Sequence, residues 1–389
     1  MVNNKIPYPS LETPAVLIDM DKLETNIREM SQLAVESRVK LRPHTKVHEC
    51  PEIAKMQIEA GAYGIEVGTV DRAECMAEAG IKDIIIAHPF YGNQKLESFR
   101  KLLETPALKI AVCVDMIEQA RGLSQVGQAV GRKVPVLLKI NTGGNRFGVL
   151  PGEAALDLAM KLRDVLGLDL VGVYAHESGA KPTPEEVEKQ AFEVATLTTE
   201  VAKTLRKRGS KIDHVSVGAS PTFRATCRYI KEHKFPEITE IHPGHCVIGD
   251  IWHVLTLGNT REACAATVLT AAMSTAQPDY VVIDAGYKIF GSDSLIAYRE
   301  IEGFFWKGRP SFGSVQDRPD LWLGCLSAET ATVNYMNPHI DPKKRLQLGE
   351  RIEIVPNNST LVIALQSKIY GVRKGIVERE FILNRKGSL

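Results

Sequence analysis

Between residues 38 and 250 the chain repeats one pattern eight times: a short β-branched run, a turn, then a longer stretch with apolar residues at helical spacing. The runs are VKLRPHTK (39–46), YGIEVG (63–68), DIIIAHP (83–89), LKIAVCVD (108–115), VPVLLKIN (134–141), LVGVYAHE (170–177), HVSVGAS (214–220) and ITEIHPG (238–244). Amphipathic segments such as CPEIAKMQIEAG, TVDRAECMAEAG and MIEQARGLSQVGQAVG separate them, and Gly80 and Gly131 close the last two where a helix C-terminus favours glycine. Parallel strands need a helical crossover, and eight tandem β/α units form a closed parallel barrel. The spacing predicts an α/β chain with a (β/α)8 TIM barrel over residues 23–260.

After residue 260 the grammar changes. ATVLTAAMST, DYVVIDAG, RIEIVPNN and TLVIALQSKIYGV read as alternating strands without helical stretches of comparable length. They predict a β-rich domain over 261–389. Residues 1–22 join it, because LETPAVLIDMD (11–21) reads as a strand of the C-terminal sheet, ahead of the helix DKLETNIREMSQLAVES. A length of 389 residues accommodates a barrel of about 250 with such an appendage.

Lys+Arg 48 against Asp+Glu 47 leaves a formal charge of +1, with no basic cluster dense enough for nucleic acid or an anionic membrane. The expected partner is a small molecule. The N-terminus lacks an apolar leader behind a basic start, and no window reaches the eighteen or so apolar residues of a membrane span, so a soluble, cytoplasmic protein is expected. The seven cysteines are scattered, odd in number and free of CxxC spacing, which fits reduced thiols rather than a disulfide framework or a cysteine-rich zinc site.

Arg42, His44 and Lys46 fall at period two in the first run, which predicts one pleat face for all three, at the strand end where barrels place their chemistry. A lysine pointing inward needs an anion, or it is the neutral amine that forms a Schiff base with an aldehyde. A salt-bridged structural lysine is the alternative, weakened by the density of RPHTKVH. The seventh and eighth runs end in VGASPT and HPGH, so Gly218, Ser220, Thr222 and Gly244 stand where barrels commonly bind phosphate. Arg146 sits in the glycine-bracketed loop NTGGNRFGV, and Tyr174 and His176 share parity in VYAHESG. An arginine and a histidine there hold a cofactor oxygen or a carboxylate, or else pair with Glu66 or Glu177 at the rim. A lysine, a phosphate cradle and polar residues converging on one rim suggest a pyridoxal phosphate enzyme.

At that point the chain resembles the alanine racemase type of pyridoxal phosphate enzyme, and within it the D-threonine aldolase and D-serine dehydratase branch. The resemblance rests on TPAVLIDMDKLETNI, LRPHTKVHECPEIAKMQIEAGA, TVDRAECMAEAGI, NRFGV, VYAHESG, VGASPT, HPGH, VIDAGYK, LSAET and PNNSTLVIALQSKIYGV. It implies that Lys46 is the Schiff-base lysine, that Arg146 and Tyr174 lie along the cofactor ring, and that Gly218, Ala219, Ser220, Thr222, Gly244 and His245 hold its phosphate. It implies a C-terminal domain that closes the site and supports a homodimer. It further implies lyase chemistry on a D-configured 3-hydroxy amino acid: cleavage to an aldehyde and glycine, or dehydration to a 2-oxo acid and ammonia. Racemisation or epimerisation is the alternative, and a non-catalytic pyridoxal phosphate carrier a more distant one.

One departure stands out. In the branch resembled, the motif after the IVPN-like strand ends in a histidine followed two residues later by cysteine or aspartate, which bind a divalent metal; here the positions hold Asn358 and Thr360. The histidine expected shortly after Glu329 is also missing. Neither an amide nor a neutral hydroxyl replaces an imidazole and an anion. No metal is therefore expected, and His242, His245 and Cys246, with HxxHC spacing, are a weak substitute. Activation of a β-hydroxyl would then fall to His176, His44 or His88, since imidazole titrates near neutral pH.

Overall fold

The computed structural model describes residues 7–177, 179, 181, 183–293 and 305–383. They form two compact units, one of Ile27–Gly244 and one of the described residues up to Asn26 together with His245–Leu383.

The first unit is built on eight parallel strands: Lys40–Leu41, Ile65–Val67, Asp83–Ile86, Lys109–Val114, Val134–Ile140, Leu168–Ala175, His214–Val217 and Glu240–Ile241. From the second onward each pairs with the next, and the last returns to the first through Lys40 opposite Glu240. The ring closes between the first two, where Tyr63 N donates to Leu41 O, Glu66 N donates to Pro43 O, and His44 bridges Glu66. This is the (β/α)8 barrel expected from the repeat. Runs such as Ile84–Ile86 and Val112–Val114 are buried throughout, because opposing strands cover one face of a barrel strand and helices the other. Gly131 ends the helix Ile117–Val130 in the left-handed conformation, at φ 72°, that glycine adopts freely.

The first strand is shorter than its period suggests. The strand ends at Leu41, although Arg42 N still donates to Ile241 O and His44 N to Pro243 O, and Thr45–Val47 then forms a 3₁₀ turn in which His44 Nδ1 accepts from Lys46 N at 3.2 Å. Lys46 thus stands on a turn rather than on the pleat of Arg42. Arg42 is itself consumed within the barrel, its Nε 2.8 Å from Glu240 and its Nη1 2.6 Å from Asp83. Burial pushes Glu240 up, but His214 and Arg42 outweigh it and hold the carboxyl at about 2.

The second unit is a nine-stranded sheet in the order Leu321–Leu326, Ala331–Tyr335, Tyr280–Ile283, Ala266–Ser274, Ala15–Asp19, Lys368–Arg373, Ile376–Ile382, with Arg351–Pro356 pairing Ala266–Ser274 and carrying Gly313–Val315. The N-terminal strand lies in the C-terminal sheet, as its sequence suggested: Leu17 is opposite Thr267 on one side and Tyr370 on the other. Two expectations need correction. Residues 245–260 go with this unit and not with the barrel, since Ile251 and Leu255 pack on Cys264 and Val355. In TLVIALQSKIYGV only Lys368–Arg373 is strand; Ser359–Ala364 is helix, begun by the Asn358 side chain, which accepts from Leu361 N. None of the seven cysteines is in a disulfide, and six of them are buried. Among the described residues no helix is long and apolar enough to cross a membrane.

Candidate active site

The polar residues of the barrel unit gather where its strands end. Lys46 is partly buried, and that burial pushes its amine below the usual lysine range, with the charges of Arg146 and Lys139 adding to the effect and Glu66 opposing it. His44 binds the Lys46 backbone through Nδ1 and turns Nε2 toward Glu66 Oε1 at 3.6 Å. Burial, then the Lys46 charge, holds His44 well below the ordinary imidazole range, so it is neutral.

Around Glu66 is a network that spans the sheet. Tyr174 donates its phenolic proton to Glu66 Oε1 at 2.6 Å, and its ring stacks on His242 with centroids 4.3 Å apart and planes 10° apart. His242 Nδ1 lies 2.8 Å from Ser216 Oγ. Lys139, buried on the fifth strand, donates to Ala87 O at 2.6 Å and places its ammonium 4.3 Å from the Tyr174 ring centroid. Burial raises Glu66 to about 8, against the hydrogen bond from Tyr174 and the charge of Lys139. Glu66 Oε2 and His242 Nε2 are buried with no hydrogen-bond partner among the described residues, which leaves them open to a bound group.

His176 Nδ1 donates to Gly218 O at 2.9 Å, which fixes the tautomer and leaves Nε2 as an acceptor. Burial, followed by Lys46 and Lys139, lowers that imidazole to about 3. Arg146 is exposed on its loop, 5.4 Å from the Phe147 ring, and Phe147 stacks on His88 at 5.3 Å. Beside His88 opens a cavity of about 340 Å³ lined by Gly68, Val70, Phe90, Gln94 and Lys95.

The expected phosphate loop is only partly free to bind. Gly218 N already donates to Glu177 Oε2 at 2.9 Å, and Ala219 N to Thr222 Oγ1 at 3.2 Å. Beyond it, after the buried Ser220 and Thr222, begins the helix Phe223–Lys231, whose N-terminal end carries the partial positive charge that favours an anion. Gly244 is required for closeness: a Cβ there would lie 2.4 Å from His44 O. His245, the next residue, does not join this group; it belongs to the other unit, its imidazole 2.6 Å from Asp250 and 2.9 Å from Ser359 Oγ. A pyridoxal phosphate fits the barrel residues: a depressed lysine amine for its aldehyde, unpartnered Glu66 and His242 atoms for its ring, and a helix N-terminus for its phosphate. A metal at Asn358 and Thr360 does not fit. Asn358 spends its side chain on Leu361 N and on Asp293, and Thr360 Oγ1 lies 3.3 Å from His245 Nδ1.

Sequence reasoning missed Lys139 and gave Glu66 and His242 other roles. The legible signal was a lysine inside the apolar run VPVLLKIN, which has no solvent to reach.

Residues 18–251 match the family model described as alanine racemase, N-terminal domain, and residues 265–372 match that of a serine dehydratase domain. A D-threonine aldolase of Arthrobacter sp. is 30% identical over 98% of this chain and 94% of its own length. A D-serine dehydratase of Dictyostelium discoideum is 27% identical over 94% of this chain and 95% of its own. Among solved structures, D-threo-3-hydroxyaspartate dehydratase from Delftia sp. HT23 superposes with a TM-score of 0.85 at 25% identity, covering 98% of this chain and all (100%) of that one. Matched along both units, the chain belongs to the alanine racemase-type pyridoxal phosphate enzymes, in the branch of the D-threonine aldolases and D-serine dehydratases.

Proposed function

We propose that the protein is a pyridoxal phosphate-dependent lyase that cleaves or dehydrates D-configured 3-hydroxy amino acids, with Lys46 as the residue that carries the cofactor. The observation that carries this reading is the Lys46 amine itself, pushed toward its neutral, nucleophilic form by burial and by Arg146. When bound, the cofactor supplies an electron sink that weakens the bonds at the substrate α-carbon.

The chain's own residues do the rest. Lys46 would hold the cofactor, and its Nζ, when not engaged with it, would hold or move a proton at the α-carbon. His44 fixes the turn that aims it. Tyr174 and His242 present a flat, stacked surface, and Arg146 supplies a cation for a carboxylate or a ring oxygen. Ser220, Thr222 and the helix behind them take the phosphate, with Gly218, Ala219 and Gly244 allowing close approach. His176, its Nδ1 committed to Gly218 O, would hold a β-hydroxyl in position through Nε2 as an acceptor, and His88 borders a cavity suited to a substrate side chain. A homodimer in the cytoplasm completes the reading; sedimentation tests the dimer.

The deciding experiment incubates purified protein with D-threonine, D-serine, D-threo-3-hydroxyaspartate and their L-counterparts. Aldehyde plus glycine, or 2-oxo acid plus ammonia, from the D-forms supports the lyase. Inversion at the α-carbon with the hydroxyl retained would replace it by a racemase.

A further inference from the structure

Asp250, in the second unit, is the N-cap of the helix Ile251–Leu255 and its side chain is 1% exposed. Its Oδ1 accepts from His253 N at 2.9 Å and lies 2.8 Å from His253 Nδ1. Its Oδ2 lies 2.6 Å from His245 Nε2 and accepts from Ser359 N at 2.8 Å and Ser359 Oγ at 3.2 Å. The two imidazoles stack with centroids 3.6 Å apart, so one nitrogen of each points at the same carboxylate. Among the described residues, His245, Asp250 and His253 are the one set of three whose donor atoms all lie within 4.8 Å of one another.

Charge sets the problem this cluster has to solve. Among the described residues the only ion-pair partners of Asp250 are these two histidines. A carboxylate this deeply buried needs a compensating cation, because a whole negative charge held away from water is costly. A divalent cation taking the place of the two imidazole protons would neutralise it. The outer contact is also in place: His245 Nδ1, the nitrogen turned away from Asp250, lies 3.3 Å from Thr360 Oγ1, the kind of bond that orients a metal-bound imidazole.

We propose that His245 Nε2, His253 Nδ1 and the Asp250 carboxylate bind one divalent transition-metal ion of the zinc class. Two imidazole nitrogens and one carboxylate suit such an ion, and Ser359 Oγ, 2.9 Å from His245 Nε2, closes the fourth side directly or through water. Donors around tetrahedral zinc stand about 3.3 Å apart, so the two histidine–aspartate separations open by about half an ångström as the metal enters and the protons leave. Ser359 lies between Asn358 and Thr360, so the ligands missing at those two positions are replaced by others reaching the same helix. The ion clamps the 3₁₀ turn His245–Val247, the helix Ile251–Leu255 and the helix Ser359–Ala364 to one another. The site is independent of the lyase reading: either stands without the other.

The test uses full-length protein dialysed against EDTA, then titrated with Co²⁺ and read as a difference spectrum against the cobalt-free protein, with thermal melting alongside. The expected result is one equivalent bound, ligand-field bands of tetrahedral intensity, displacement by Zn²⁺ and a rise in Tm. His253→Gln and His245→Gln should each weaken binding by at least about 100-fold. Asn358→Ala should leave it intact. Absence of a stoichiometric cobalt spectrum in the unmodified protein, or the same spectrum and affinity in both histidine variants, overturns the proposal. Two separate histidine variants keep the test sound should Asp250→Asn, which also loses a helix cap, fail to fold.

Discussion

Glu66 and Tyr174 share a buried hydrogen bond of 2.6 Å, and burial decides the protonation of both. Burial raises the carboxyl to about 8 and pushes the phenol well above its ordinary value, so at neutral pH both are largely uncharged. A carboxyl raised in the folded state stabilises the fold fully below its unfolded value near 4.5, and that contribution is lost as pH rises through about 8. Glu66→Gln should therefore gain stability relative to the unmodified protein between pH 5 and pH 9, on the order of a few kcal/mol. Urea midpoints of the two proteins across that range check it; parallel curves would refute it.

Tyr174→Phe keeps the ring on His242 and removes the donor to Glu66. A buried acceptor left without its partner costs about 1–3 kcal/mol. Chemical denaturation should show that loss with an unchanged m-value, and His176, which bonds elsewhere, should keep its tautomer by NMR.

For Lys46→Ala, the expectation is loss of the visible absorbance of the protonated imine and of the adduct that borohydride would otherwise trap. The fold, followed by circular dichroism, should be retained, because Lys46 sits partly exposed on a turn. A reducible adduct that persists in this variant would move the cofactor to another lysine, with Lys139 first in line.

At Gly218 the backbone φ is 140°, where side chains strain the chain, and a Cβ would lie 3.0 Å from His242 N. Gly218→Val should distort the loop that precedes the helix Phe223–Lys231. Strain of about 1–3 kcal/mol in the binding conformation corresponds to roughly 5- to 150-fold weaker cofactor binding. Equilibrium dialysis against pyridoxal phosphate reads it, and unchanged affinity would remove this loop from the phosphate site.

Asn358→Ala removes the cap of the helix Ser359–Ala364 and should lower stability by about 1 kcal/mol while leaving kcat unaltered. A large fall in kcat restored by manganese would show that Asn358 does ligate a catalytic ion.

The barrel was legible because strands such as Ile84–Ile86 and Val112–Val114 are buried throughout and read as apolar runs between helical stretches. The same reading put Lys46 on the pleat of Arg42, whereas it stands in a 3₁₀ turn, because Arg42, His44 and Lys46 keep a period of two whether or not the strand continues. The helix at 359–364 was read as strand because a short apolar run carries no period of its own, although Asn358 offered a cap. Glu66, Tyr174 and His242 meet through strands far apart in the chain, and no local pattern encodes such a meeting. His245 was grouped with His242 and Cys246 by spacing, whereas its partners are Asp250, one helix start away, and Ser359.

The strand Ala15–Asp19 leaves the ribosome before any of its neighbours exists. Its partners, Ala266–Ser274 and Lys368–Arg373, are made after the entire barrel sequence, so during synthesis Val16, Leu17 and Ile18 are an apolar segment without a sheet. The barrel, contiguous from Ile27 to Gly244, can assemble first. A chain stalled or cut before residue 368 would carry a folded barrel and an orphaned edge, the kind of exposed strand that chaperones hold and that pairs with its own copies when they do not.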